Sequence, residues 1–241
     1  MARRPPPGEC VHCLQHSREL TWDHGIPDSW YPRGVTSKKI KAPSCLSCQQ
    51  KLALVERAVL LPLALCLDPN DPLANGVPQA VWRSLDPNLA AKPGMSQLEV
   101  ERERRARTKL LEATRAQLFQ PKPEEYRFAV PGFGLADAKG SLTAIKGLHE
   151  TELQKLGEKF ARVVLWVMRN HLFLPLDCRV KTFILDPDKS REVDVTIRGG
   201  ETLDIFPGIR VTLRSAVDNP FAHLLLFELW GRFKLHVSAV P

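Results

Sequence analysis

Two Cys-x-x-Cys pairs, Cys10/Cys13 and Cys45/Cys48, constrain this chain more than any other feature. Two residues between ligands let both sulfurs of a pair reach one tetrahedral ion at about 2.3 Å, and two pairs complete a four-thiolate zinc site. Closed coordination of that kind folds the segment it clamps and leaves no open position for chemistry. The 31 residues from 14 to 44 must then form a loop or hairpin anchored at both ends. Cys66 and Cys178 stand alone in apolar or strand-like surroundings and read as buried small side chains. The first residues, Met1-Ala2-Arg3-Arg4-Pro5-Pro6-Pro7, are basic and proline-rich with no apolar stretch behind them. The longest apolar run, Ala58 to Leu67, is too short for a bilayer and contains Pro62. The expectation is a reducing, cytoplasmic setting without membrane association, in which the paired thiols hold metal.

The rest of the chain reads as α+β. A helix follows Cys48, with Leu52, Val55, Val59 and Leu63 at three- and four-residue spacing, and Pro62 is expected to end or kink it. Asp-Pro and Pro-Gly turns punctuate a connector, interrupted by a short helix near Val77 to Leu85. Ser96 and Glu99 stand at capping-box spacing and open a charged helix to about Phe119. Thr151 and Gln154 form a second such pair before an amphipathic helix carrying Leu153, Leu156, Phe160, Val163, Val164 and Val167. Beyond Pro175 the period changes to two. Val193, Val195 and Ile197 read as a strand, Gly199-Gly200 as its hairpin turn, and Leu203 and Ile205 as the return. Ile209, Val211 and Leu213, then Phe233, Leu235 and Val237, add two more strands. The expected organisation is a zinc-stapled module at 8–66, a loop-rich and helical connector at 67–146, and an α+β domain at 147–241 whose sheet is covered by the 151–170 helix.

Thirty-four basic residues against 27 acidic leave a net charge of +7, which favours a polyanionic partner and excludes an acidic binder. Arg198, Arg210, Arg214, Arg232 and Lys234 fall on the outward sheet positions, as a solvated face or a nucleic-acid platform.

The loop between the cysteine pairs contains Leu20-Thr21-Trp22-Asp23-His24-Gly25-Ile26-Pro27. It is followed by Ala42-Pro43-Ser44-Cys45-Leu46-Ser47-Cys48-Gln49-Gln50-Lys51, with Glu56 further on. This order resembles the HNH (ββα-metal) endonucleases, over about a fifth of the protein. The resemblance implies a metal-dependent endonuclease that hydrolyses phosphodiester bonds in DNA. His24 would be general base, and Asp23 and Gln49 would hold a catalytic divalent ion such as Mg2+ beside the structural Zn2+. A neutral imidazole suits the base, and a hard cation suits the phosphate and the departing oxygen. Arg33, Lys38, Lys39, Lys41 and Lys51 are the candidate nucleic-acid contacts. Two departures stand out. Gln49 takes the place of the asparagine usual after the last cysteine, and no histidine occurs between His24 and His149. His12 and His16, beside the first pair, are expected at the surface. The alternative is a degenerate, non-catalytic HNH zinc module that binds nucleic acid or scaffolds a partner. A third reading gives the C-terminal domain a protein partner of its own.

Overall fold

The computed structural model describes residues 4–34, 39–65, 67, 70–119, 150–183, 187–219 and 221–241, so Lys38 and Cys66 lie outside the described residues. Its architecture is mixed α+β. Two short ladders open the chain: β1 (Gly8–Glu9) pairs with β2 (His16–Ser17), and β3 (Leu20–His24) pairs antiparallel with β4 (Lys41–Cys45). The register sets Leu20 opposite Cys45 and His24 opposite Lys41. Helix α1 (Leu46–Leu65) leaves β4 directly, so the N-terminal order is strand, strand, helix. Its Val55, Val59, Leu60, Leu63 and Ala64 are buried. Pro62 removes one backbone donor near the end of α1, and the helix nevertheless runs on to Leu65.

Helix α2 (Val77–Leu85) follows the expectation closely, and α3 (Gln97–Phe119) begins behind the expected capping box. The Ser96 N–H donates to the Glu99 carboxylate at 2.8 Å and the Glu99 N–H to the Ser96 hydroxyl at 3.4 Å. Arg107 docks α3 by donating to the carbonyls of Arg83, Asp86 and Leu89, each within 3.2 Å.

A five-stranded antiparallel sheet closes the chain, in the order β5 (Arg179–Phe183), β9 (Phe233–Val240), β8 (His223–Leu229), β7 (Ile209–Ser215), β6 (Glu201–Phe206). Helix α4 (Glu150–Met168) lies on it, as the period of its apolar residues requires. The second capping box is not formed as expected. Gln154 spends its amide on the edge strand, accepting from the Thr182 N–H at 2.8 Å and donating to the Thr182 carbonyl at 2.6 Å. Contact there is so close that a methyl group on Gly157 would stand 1.9 Å from the Thr182 hydroxyl.

One expected strand is a helix. Residues Pro187–Ile197 form α5, and Gly199, at φ +81°, is the left-handed residue that stops it rather than a hairpin turn. Val195 is solvent-exposed and Ile197 buried, so the apparent alternation did not mark a sheet face. What decided was the second face of the sheet. Leu226 and His236 are paired across β8 and β9 and buried on that side, and α5 packs against β7 and β8 there.

Candidate metal centre and adjoining charge cluster

Cys10, Cys13, Cys45 and Cys48 converge from the β1–β2 hairpin, the end of β4 and the first turn of α1, with all four sulfurs within 4.8 Å of one another. The Cys13 and Cys45 sulfurs are 3.9 Å apart, and a tetrahedron with bonds of about 2.3 Å has edges of about 3.8 Å. The donor set therefore fits Zn2+. Burial raises the Cys10 thiol, but the backbone N–H groups of Cys45, Cys13 and His12 and the Ser44 hydroxyl outweigh it and bring the group down to about 7. Burial holds the Cys48 thiol far above its ordinary value, reinforced by its neighbouring cysteines. No other group of three or more metal-ligating Cys, His, Asp or Glu side chains occurs among the described residues.

Alternate residues of β3 share a face, so Thr21 and Asp23 point one way and Trp22 and His24 the other. Asp23 is almost buried, with one carboxylate oxygen 2.8 Å from His12 Nε2 and the other 3.1 Å from the Lys159 ammonium. Lys159, from the middle of α4, is only 1% exposed at its side chain and also pairs with Glu56 of α1. Burial pushes the Asp23 carboxyl up, but the His12 hydrogen bond and the Lys159 charge outweigh it, so the carboxylate form is favoured. Glu56 goes the other way, because burial and the Asp23 charge exceed what Lys159 returns. Gln49 donates its amide N–H to the Thr21 hydroxyl at 2.6 Å, and that hydroxyl in turn donates to the Ser44 carbonyl at 3.5 Å.

These residues do not fit a divalent ion at Asp23. Both carboxylate oxygens already have partners, and an ion bound to either would stand beside a buried ammonium of like charge. His12 also departs from the expectation of a surface position. Its imidazole is 7% exposed and belongs to the cluster, whereas His16 is exposed.

On the opposite face, His24 Nδ1 pairs with the Asp28 carboxylate four residues later, beyond the end of β3, and Asp28 also takes a bond from Lys39 at 2.8 Å. Burial raises the Asp28 carboxyl, but Lys39 and His24 together outweigh it and lower it. Of the other candidate contacts, Arg33 and Lys51 are exposed, while Lys39 and Lys41 are half-buried. The outward arginines of the sheet are largely spent internally. Arg210 pairs with Asp204 at 2.7 Å, Arg214 donates to the Thr196 and Arg198 carbonyls at 2.6 and 3.0 Å, Arg232 reaches Asp71 at 3.4 Å, and Lys234 pairs with Asp194. Arg210, Arg232 and Lys234 are thus offset by acids, whereas Arg214 bonds only neutral carbonyls.

Lys159 and Asp28 are the members of this site that sequence reasoning missed. Asp28 carried a faint signal in its four-residue spacing from His24. Lys159 carried none, being 136 residues from Asp23 on an otherwise ordinary amphipathic helix. No family model matches the chain, and neither the curated proteins nor the solved structures contain a match.

Proposed function

We propose that the N-terminal strand–strand–helix unit is a degenerate HNH-type zinc module that binds nucleic acid without hydrolysing it. The Lys159 ammonium engages Asp23, the carboxylate that the HNH resemblance would make a ligand of the divalent ion. The observation that carries this reading is the double engagement of Asp23 by Lys159 and His12. A buried ammonium offsets charge on Asp23 and Glu56 together, and losing it would leave Glu56 without that partner and Asp23 with His12 alone. The net charge of +7 supports a polyanionic partner, and the four-cysteine cluster supplies the rigid frame.

One observation favours a second function, a nuclease. Asp28 holds His24 through Nδ1, which leaves Nε2 of a partly exposed imidazole to accept a proton, as a general base requires. Incubating the full chain with plasmid and single-stranded DNA in Mg2+ or Mn2+ separates the two. The expected result is salt-dependent binding and no cleavage. Metal-dependent cleavage that His24→Ala abolishes would establish the nuclease reading instead.

A further inference from the structure

The first turns of α1 and the N-terminal half of α4 enclose a cleft of about 170 Å3, whose walls include His12, Lys51, Lys155, Glu158, Lys159 and Arg162. Three of its basic groups are committed. Lys159 is held by Asp23 and Glu56, His12 by Asp23, and Arg162 by Glu158 at 3.0 Å and the Leu174 carbonyl at 2.6 Å. Lys51 and Lys155 are exposed at the cleft and have no hydrogen-bond or ion-pair partner among the described residues. Two ammoniums on the walls of one small cleft offer a pair of charged donors to a single anion. The side chains beneath them, Lys159, His12 and Arg162, are held by Asp23, Glu56 and Glu158, so this floor is rigid and compensated, and the cleft's unpaired charge is that of Lys51 and Lys155.

We propose that this cleft is a phosphate-binding site, in which Lys51 and Lys155 grip one backbone phosphate of a nucleic-acid strand. The proposal rests on the nucleic-acid reading above and deepens it, since it names the contact that would anchor the strand beside the zinc module. A phosphodiester suits the site because it is compact, singly charged and presents two oxygens to two donors. A different use of the same charges is to compensate the net −2 of four thiolates around one Zn2+, and the experiment must separate the two.

The test is fluorescence anisotropy of a labelled single-stranded oligonucleotide, titrated with the zinc-loaded full chain over a series of salt concentrations. Zinc content is measured on every sample. Lys51→Ala/Lys155→Ala is expected to weaken binding about tenfold and to lower the salt slope by roughly 1, with zinc retained. The Lys51→Arg/Lys155→Arg variant is expected to restore most of the affinity. No binding by the unaltered chain would overturn both the nucleic-acid reading and this site. Normal binding with unchanged affinity and slope in the alanine variant would overturn this site alone. Loss of zinc from the alanine variant would assign the two ammoniums to the thiolates. Equally tight, lysine-dependent binding of polyglutamate would replace the nucleic acid with an acidic peptide.

Discussion

At the scale of single residues, Lys159 carries the most consequence. Its ammonium is buried between Asp23 and Glu56, so removing it leaves Glu56 without that partner and Asp23 with His12 alone, in a poorly hydrated place. Lys159→Met is expected to destabilise the fold by about 3–5 kcal/mol, measured by denaturant unfolding. Adding Asp23→Asn and Glu56→Gln to that variant should recover most of the loss, and no recovery would show that the charges are not the cause. His236 gives a pH signature. Its imidazole is fully buried under α5, faced by Asp194 and Lys234, and burial pulls its pKa below the usual 6.5 despite the opposing Asp194. The unfolded chain therefore takes up this proton first as pH falls. The stability owed to the neutral ring is complete above about pH 6.5 and is lost progressively below it. Comparing unfolding free energies at pH 7 and pH 5.5, His236→Leu should show a shallower fall than the unaltered chain; an equal fall would remove His236 from the account.

Among the elements, α4 does the most positioning. It covers the C-terminal sheet, lies along α1 and carries Lys159, Arg162 and Gln154 to three different partners. Its close approach to β5 depends on Gly157. Gly157→Ala would drive a methyl into the short, buried Thr182 side chain, and a cost of about 1–3 kcal/mol is expected from thermal unfolding. Pairing that change with Thr182→Ala should relieve part of the cost. The capping box of α3 was legible because its determinants lie within four residues. Gln154 offered the same local pattern and was taken instead by a strand 28 residues away. The misreading of α5 has a similar origin. Val193, Val195 and Ile197 alternate, but a helix was needed to cover Leu226 and His236 on the sheet's far side.

For the molecule as a whole, the described residues share one core. Trp30, in the loop after β3, packs on Phe160 of α4 at 5.8 Å and on Trp230 of the β8–β9 turn at 5.3 Å, and Phe160 continues to Phe227. The Trp230 indole donates to the Trp30 carbonyl at 3.0 Å, tying positions 200 residues apart. The four-cysteine cluster thus sits in a region that packs with α4 and the sheet. Stripping zinc with a chelator is expected to lower the midpoint of one cooperative unfolding transition, followed by circular dichroism and tryptophan fluorescence together. Two separate transitions would show that the N-terminal module stands alone. The sequence alone determined the two paired-cysteine clamps, the helix after Cys48 and the amphipathic helix behind the sheet, each written in short spacings that local geometry can read. The two strands around Asp23 and His24 were expected only from the HNH resemblance. Only the tertiary structure decided what Asp23 touches. Lys159 comes from a distant helix, and its charge acts there because packing buries the pair and so removes the water that would otherwise screen it.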